Sequence, residues 1–297
     1  MLIKILKKIL LFICPFVLFS CEIINSEEGI PSYIYIDKID FVTDYDLHGT
    51  NSSKIVDAWI NVDGNLLGVF ELPARIPILK TGTHEVMVRA GIKVNGIAAS
   101  RAIYPYYTSY KLNMNLTAAK IDTIHPVVTY TDFTIFKWKD DFEDAGLSLV
   151  TTKKSYTPIN RYATSLIDSI PNSYLGDFAA GSVMSGDSLM IFECQTIDSV
   201  YLSYNPIFLE LNYKCNNSIV VGMFVNKTTT TIQKAAITLN PSEKQWNKIY
   251  INLTDIVKQN PDALHYNIFI GARKSQYNID NNKEAWLYFD NVKLVTF

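Results

Sequence analysis

Ala58-Trp59-Ile60-Asn61-Val62-Asp63-Gly64, followed by Leu66–Phe70, is the stretch that decides the fold. Two apolar runs flank an Asp-Gly pair, and a two-residue type I′ turn needs positive φ at both central positions, which this pair supplies. The stretch therefore predicts an antiparallel hairpin. Upstream, Tyr33–Phe41 alternates apolar and polar side chains as a half-buried strand does. Downstream, Pro73 and Pro77 interrupt the chain and Thr81-Gly82 turns it. His84-Glu85-Val86-Met87-Val88-Arg89 then resumes the alternation, and Lys93-Val94-Asn95-Gly96-Ile97 gives a second hairpin signal with Asn95-Gly96 at its tip. Together these predict a small antiparallel β-sandwich over residues 33–135.

Val62-Asp63-Gly64, Gly68, a proline, and Gly82-Thr83-His84-Glu85-Val86-Met87-Val88 resemble the PEGA-type small β-domain of bacterial envelope proteins. The likeness covers residues 57–92, and Leu72-Pro73 stands where that family has its Pro-Glu-Gly-Ala signature. The expected domain is thus PEGA-like or immunoglobulin-like.

The second half opens on Asp141-Phe142-Glu143-Asp144 and closes on Ala285-Trp286-Leu287-Tyr288-Phe289-Asp290-Asn291-Val292-Lys293-Leu294. Between them, Lys244–Leu253 reads as a strand with Trp246, Ile249 and Ile251 inward, and Asp255–Gln259 reads as a helical turn. A hinge is expected near Phe136–Asp140, and Gly181–Gly186 reads as a loop between strands. The opening, middle and closing segments resemble a galactose-binding-like jelly roll, the sandwich of many carbohydrate-binding modules, over residues 138–297. The fold class expected is all-β: two β-sandwich domains, each folding on its own.

Charged residues make up only 19% of the chain and Ile, Val, Thr and Tyr are abundant, a balance that favours strands. Lys4, Lys7 and Lys8 precede an apolar run, Ile9–Phe19, that ends in Leu18-Phe19-Ser20-Cys21. A transmembrane helix needs about 20 apolar residues, and this run is roughly half that. Its order is that of a secretory signal, and the cysteine makes it a lipoprotein signal. Residues 1–20 are expected to be removed, with Cys21 lipidated and residues 21–32 a tether. Losing three lysines takes the net charge from −2 to −5, so nucleic acid is not an expected partner. Glu27-Glu28 arrive late after Cys21, which favours the periplasmic side of the outer membrane over surface exposure. The Asn-, Ile-, Lys- and Tyr-rich style resembles Bacteroidota outer-membrane lipoproteins, which include accessories of secretion and gliding machines.

Asp141, Glu143 and Asp290 are the candidate metal ligands. In jelly rolls of the kind resembled, acids on neighbouring first and last strands bind structural Ca²⁺, which takes six to eight oxygens. The alternative is that Asp141 and Glu143 are solvated and Asp290 bonds a turn. Tyr104, Tyr106, Tyr107 and Tyr110 are candidates for contact with an envelope protein, since tyrosine joins apolar area to a polar tip. The alternative is that they cap the first domain's core. For a glycan, Tyr201, Tyr204, Tyr277 and Trp286 are available near loops or strand ends. Cys194 and Cys215 fall in successive strand-like runs, Ser188–Gln195 and Ile207–Cys215. Paired as neighbours, these would hold the sulfurs too far apart for a disulfide. No nucleophile elbow, phosphate loop or zinc helix is present. The leading expectation is a non-catalytic lipoprotein acting as scaffold or accessory subunit of an envelope assembly. A glycan-binding lipoprotein is the alternative, and a glycoside hydrolase ranks last.

Overall fold

The computed structural model describes residues 29–167, 176–186, 188–203, 205–242 and 245–297. The signal segment, Cys21, most of the tether and Tyr204 lie outside these residues. The fold is all-β: among the described residues, strands are joined by four short helical turns of four or five residues.

The Asp63-Gly64 reading holds. Asp63 (φ 52°) and Gly64 (φ 79°) both take left-handed backbone and join strands Asp57–Val62 and Asn65–Glu71. Strand Gly82–Lys93 lies on the other side of Asp57–Val62, and its far edge takes Tyr110–Leu116 and then Arg101–Ile103. A three-stranded sheet faces this one, with Ser32–Ile36 between Ala74–Ile78 and Ile121–Thr123. Alternate residues Ile34, Ile36, Ile60, Ile76, Val86, Val88 and Ile92 fill the space between. Three residues of the second half, Phe208, Tyr250 and Val295, belong to that same core cluster.

The second half is a two-sheet sandwich. One sheet, here the junction sheet, runs Asn160–Ala163, Phe178–Met184, Ala285–Thr296, Phe208–Cys215, Asn247–Asn252. Residues Ile135–Asp140 form a strand on the free length of Ala285–Thr296, so the segment expected as a hinge is a strand of this sheet. The other, the groove sheet, runs Leu149–Thr151, Ile191–Thr196, His265–Arg273, Ile219–Asn226, Thr231–Leu239, all antiparallel. Leu209, Leu211, Ile249, Ile251, Leu287, Phe289 and Leu294 from the first meet Phe192, Val221, Met223, Ile268 and Ile270 from the second. Ile249 and Ile251 point inward as the alternation predicts, and the turn read at Asp255–Gln259 is the helix Thr254–Lys258.

Two readings are corrected. Residues 178–184 are a strand, not a loop, because Gly181 lies against Leu287 and Tyr288, where a Cβ would come within 2.6 Å of the Tyr288 ring. The runs bearing Cys194 and Cys215 do not pair. They sit in opposite sheets with both sulfurs in the shared core, buried and free. Burial pushes the Cys194 thiol well above its ordinary pKa, which makes it an inert packing residue.

Candidate functional site: an open groove and a sealed junction

A sandwich has two outer faces, and here they meet different fates. Residues alternating with the core positions of the junction sheet point outward: Phe208, Glu210 and Asn212 on one strand, Lys248 and Tyr250 on the next, Lys293 and Val295 on the third. The first half covers them. Glu210, fully buried, accepts from the hydroxyls of Tyr104 (2.8 Å) and Tyr130 (2.7 Å) and pairs with Lys248 at 3.1 Å. The hydroxyls of Tyr107 and Tyr250 lie 3.1 Å apart, and the Tyr106 hydroxyl donates to the Pro206 carbonyl. Lys293 Nζ donates to the Thr50 carbonyl at 2.5 Å. Burial drives the Lys293 ammonium down to about 7, partly offset by Glu210. Burial also raises the Tyr104, Tyr107 and Tyr130 hydroxyls well above the usual phenol range.

This corrects the assignment of tyrosines to an outside protein. Tyr104, Tyr106 and Tyr107 are 0%, 0% and 6% exposed, so no second chain reaches them. Tyr110 is half-buried against the first core. The Asn95-Gly96 tip also meets this chain's own second half: Asn95 N–H donates to the Tyr250 carbonyl (2.9 Å) and Asn95 Oδ1 accepts from Asn252 N–H (2.8 Å).

The acids of the opening and closing motifs do not assemble into a metal centre. Among the described residues no group of three His, Cys, Asp or Glu side chains is placed to hold an ion. Phe142 takes a left-handed turn (φ 59°) that sends its neighbours apart. Asp141 accepts from the Tyr45 hydroxyl at 2.5 Å, while Glu143 Oε1 accepts from the Asp177 and Phe178 amides at 2.9 and 3.0 Å. Asp290 is fully buried; Oδ1 takes the Asn291 N–H at 2.6 Å and Oδ2 has no hydrogen-bond partner. Burial, and then the charges of Asp141 and Glu143, raise its pKa well above the carboxylate range, with Lys248 opposing. A calcium ion calls for converging oxygens, and these three side chains are not brought together as its ligands.

The outer face of the groove sheet carries no such cover. Along its central strand His265, Asn267, Phe269, Gly271 and Arg273 alternate outward, over roughly 27 Å at about 3.4 Å per residue. A groove of about 340 Å³ is lined there by Ile191, Glu193, Val220, Gln233, Phe269 and Arg273, among others. Phe269 packs on Phe224 at 5.1 Å between ring centroids to make an apolar floor. Gly222 lies where the neighbouring strand and this ring crowd it: a Cβ there would come within 2.1 Å of the Lys234 carbonyl and 2.7 Å of Phe269 Cε1. Glu193 is fixed on both oxygens, by Thr152 Oγ1 (2.7 Å) and by Gln233 Nε2 (2.6 Å), and Gln233 Oε1 accepts from Lys154 Nζ at 2.9 Å. Farther along, Thr231 donates to Asn226, Asn226 to Asn267, and Asn267 to the Thr196 carbonyl, each at 2.8–2.9 Å.

Of the aromatics nominated from sequence for a glycan, Tyr201 reaches this face: it is 72% exposed and sits edge-on to His265 at the strand's end. Tyr277 stands under Lys283, and Trp286 stacks on Tyr288 of the junction sheet, so neither belongs to the groove. Glu193, Gln233, Phe224, Phe269 and Arg273 went unnoticed in the sequence. Their one signal is polar Glu193 and Asn267 interrupting strongly apolar strands.

No protein-family model matches the chain. No curated protein matches it either. Among solved structures, the chain is similar to carbohydrate-binding modules of the β-sandwich superfamily described as promiscuous in specificity, at 12% identity and TM-score 0.40, covering 91% of this chain and 99% of that one. It is also similar to the family 11 carbohydrate-binding module from Clostridium thermocellum, solved with a β-1,3-1,4-mixed-linked tetrasaccharide (14% identity, TM-score 0.37, 54% of this chain and 94% of that one). A third is a xylan-binding domain from family 22 (12% identity, TM-score 0.36, 56% and 97%).

Proposed function

We propose that this protein is a glycan-binding lipoprotein that holds a carbohydrate chain across the outer face of its groove sheet, without catalysis. The observation that carries this is the asymmetry of the second sandwich: one outer face is sealed by the first half, while the other is recessed, open and chemically mixed. Small-molecule sites combine an apolar lining with a few placed polar groups. Sugars match that mixture, offering C–H faces to the half-buried Val220 and Ile191 above the buried Phe269, and hydroxyls to Gln233, Arg273 and Asn226. Glu193 and Asn267 are held by their own hydrogen bonds before any ligand arrives, so ordering them on binding costs little.

The scaffold role expected first from the sequence loses three of its four candidate contact tyrosines, Tyr104, Tyr106 and Tyr107, to the interior. The anchor is a separate part of the proposal and rests on the sequence alone. Cys21 carries lipid and holds the protein on the periplasmic side of the outer membrane, a glycan its partner there. Cys21→Ser is expected to yield unlipidated protein, read by loss of labelled palmitate incorporation; continued processing and membrane retention of that variant would overturn the anchor.

Calorimetric titration of the mature chain with a panel of soluble plant and bacterial polysaccharides tests the groove. Binding to at least one is expected, with Gln233→Ala and Arg273→Ala each weakening it about tenfold, or about 1.4 kcal/mol, and with Arg273→Ala leaving the melting temperature unchanged. Binding that both substitutions leave intact would place the site elsewhere, and no binding across the panel would end the glycan reading.

A further inference from the structure

Beneath the Asn95-Gly96 tip the junction holds a small recess of about 50 Å³, lined by Lys54, Val56, Lys93, Gly96, Lys248 and Tyr250. Three of these are lysines and none is acidic. They arrive from three places: the loop before Asp57–Val62, the end of Gly82–Lys93, and Asn247–Asn252, so both halves contribute. The Lys248 side chain is 5% exposed and pairs with Glu210. Lys54 Nζ donates only to the neutral Asn247 Oδ1 at 3.3 Å. Lys93 lies 3.7 Å from Glu71, a largely exposed carboxylate that Arg101 already holds at 3.0 Å.

The charges around this recess do not balance. Glu210 pairs with the buried Lys248 and also answers Lys293, with Asp290 acting on Lys248 from farther off. Lys54 and Lys93 add two further ammonium groups at the recess itself. Burial, and then the Lys93 charge, hold Lys54 below the ordinary lysine pKa. Lys248 is buried while Lys54 and Lys93 reach solvent at the recess mouth, and like charges gathered at one opening favour an anion that joins them. Liquid water occupies about 30 Å³ per molecule, so the recess admits one compact group and not a chain. Lysines bind phosphate as point charges and suit such a group.

We propose that this recess binds a small oxyanion, phosphate or sulfate, between the ammonium groups of Lys54, Lys93 and Lys248, and that the anion pins the two halves together. The site is separate from the groove and does not depend on glycan binding.

The test is titration of the full mature chain with inorganic phosphate, and separately sulfate, at ionic strength held constant with sodium chloride. Calorimetry and thermal melting are followed together. Saturable binding and a rise in melting temperature are expected. Lys54→Met and Lys93→Met are each expected to weaken binding about tenfold. In chloride alone these variants should melt no lower than the parent, because each relieves a like-charge contact. Glucose 6-phosphate distinguishes the sources: binding alongside phosphate supports an oxyanion borne on a larger molecule, and exclusion supports the free ion. No saturable heat with phosphate or sulfate, or an equal melting shift in the Lys54→Met/Lys93→Met double variant, would overturn the proposal.

Discussion

Glu210 shows how much one side chain can hold. It sits in Phe208-Leu209-Glu210-Leu211, where alternation marks it as outward-facing, and outward ordinarily means solvent. Instead it takes two tyrosine hydroxyls and an ammonium group from three different strands and loops. Glu210→Leu leaves Lys248 buried without its counter-charge, a change expected to remove about 3–5 kcal/mol of stability; urea unfolding of the two proteins measures it. Lys293 gives a pH signature. Its folded pKa is depressed to about 7 against 10.5 for the unfolded chain, so between those values the unfolded state binds the extra proton. Stability from this group therefore rises as pH increases from about 7 toward 10, and below about 7 the full penalty of burying the charge is present. Lys293→Met is expected to remove that slope, read as the difference between wild-type and variant stability across the range. The periodicity made both residues legible as outward-facing. What it could not convey is that the outward face is itself covered, since that depends on contacts between residues 80 to 243 positions apart.

Local chemistry determined which elements could be read from the chain. Asp63-Gly64 announces its hairpin because positive φ at both positions is a property of two adjacent residues. The closing strand is legible for a similar reason: Ala285, Leu287 and Phe289 alternate inward. Gly181-Ser182 reads as loop because small residues usually mark one, yet Gly181 is there to let a neighbouring strand come close. The groove escaped notice for the opposite reason. Its floor is set by a bulge in the strand pairing between Val221 and Gly222, and no residue type marks a bulge of that kind. Gly222→Ala is expected to push the paired strand at Lys234, and with it Phe269, from place, losing about 1–3 kcal/mol by overpacking. Differential scanning calorimetry reads the stability loss, and a fall in glycan affinity would accompany it.

At the scale of the whole molecule the two halves differ in what they own. The second sandwich has a core of its own, whereas the first completes its core with Phe208, Tyr250 and Val295 from the other side of the junction. A single thermal transition is therefore expected for the intact chain, and a fragment starting near Phe136 should melt at lower temperature with that apolar face uncovered. Two separated transitions in the intact chain would contradict this coupling. The pairing of Ile135–Asp140 with the far end of Ala285–Thr296 has a consequence in time. The strand that begins the second sandwich keeps its edge unfilled until the last strand of the sheet reaches it. Strand Phe208–Cys215 waits for the same late segment on one of its edges. Closure of the junction sheet is thus a late event in folding, and the first half cannot settle on its seat before it. A chaperone that shields unpaired edges during that interval would raise the yield of folded protein more than any stabilising substitution in the groove.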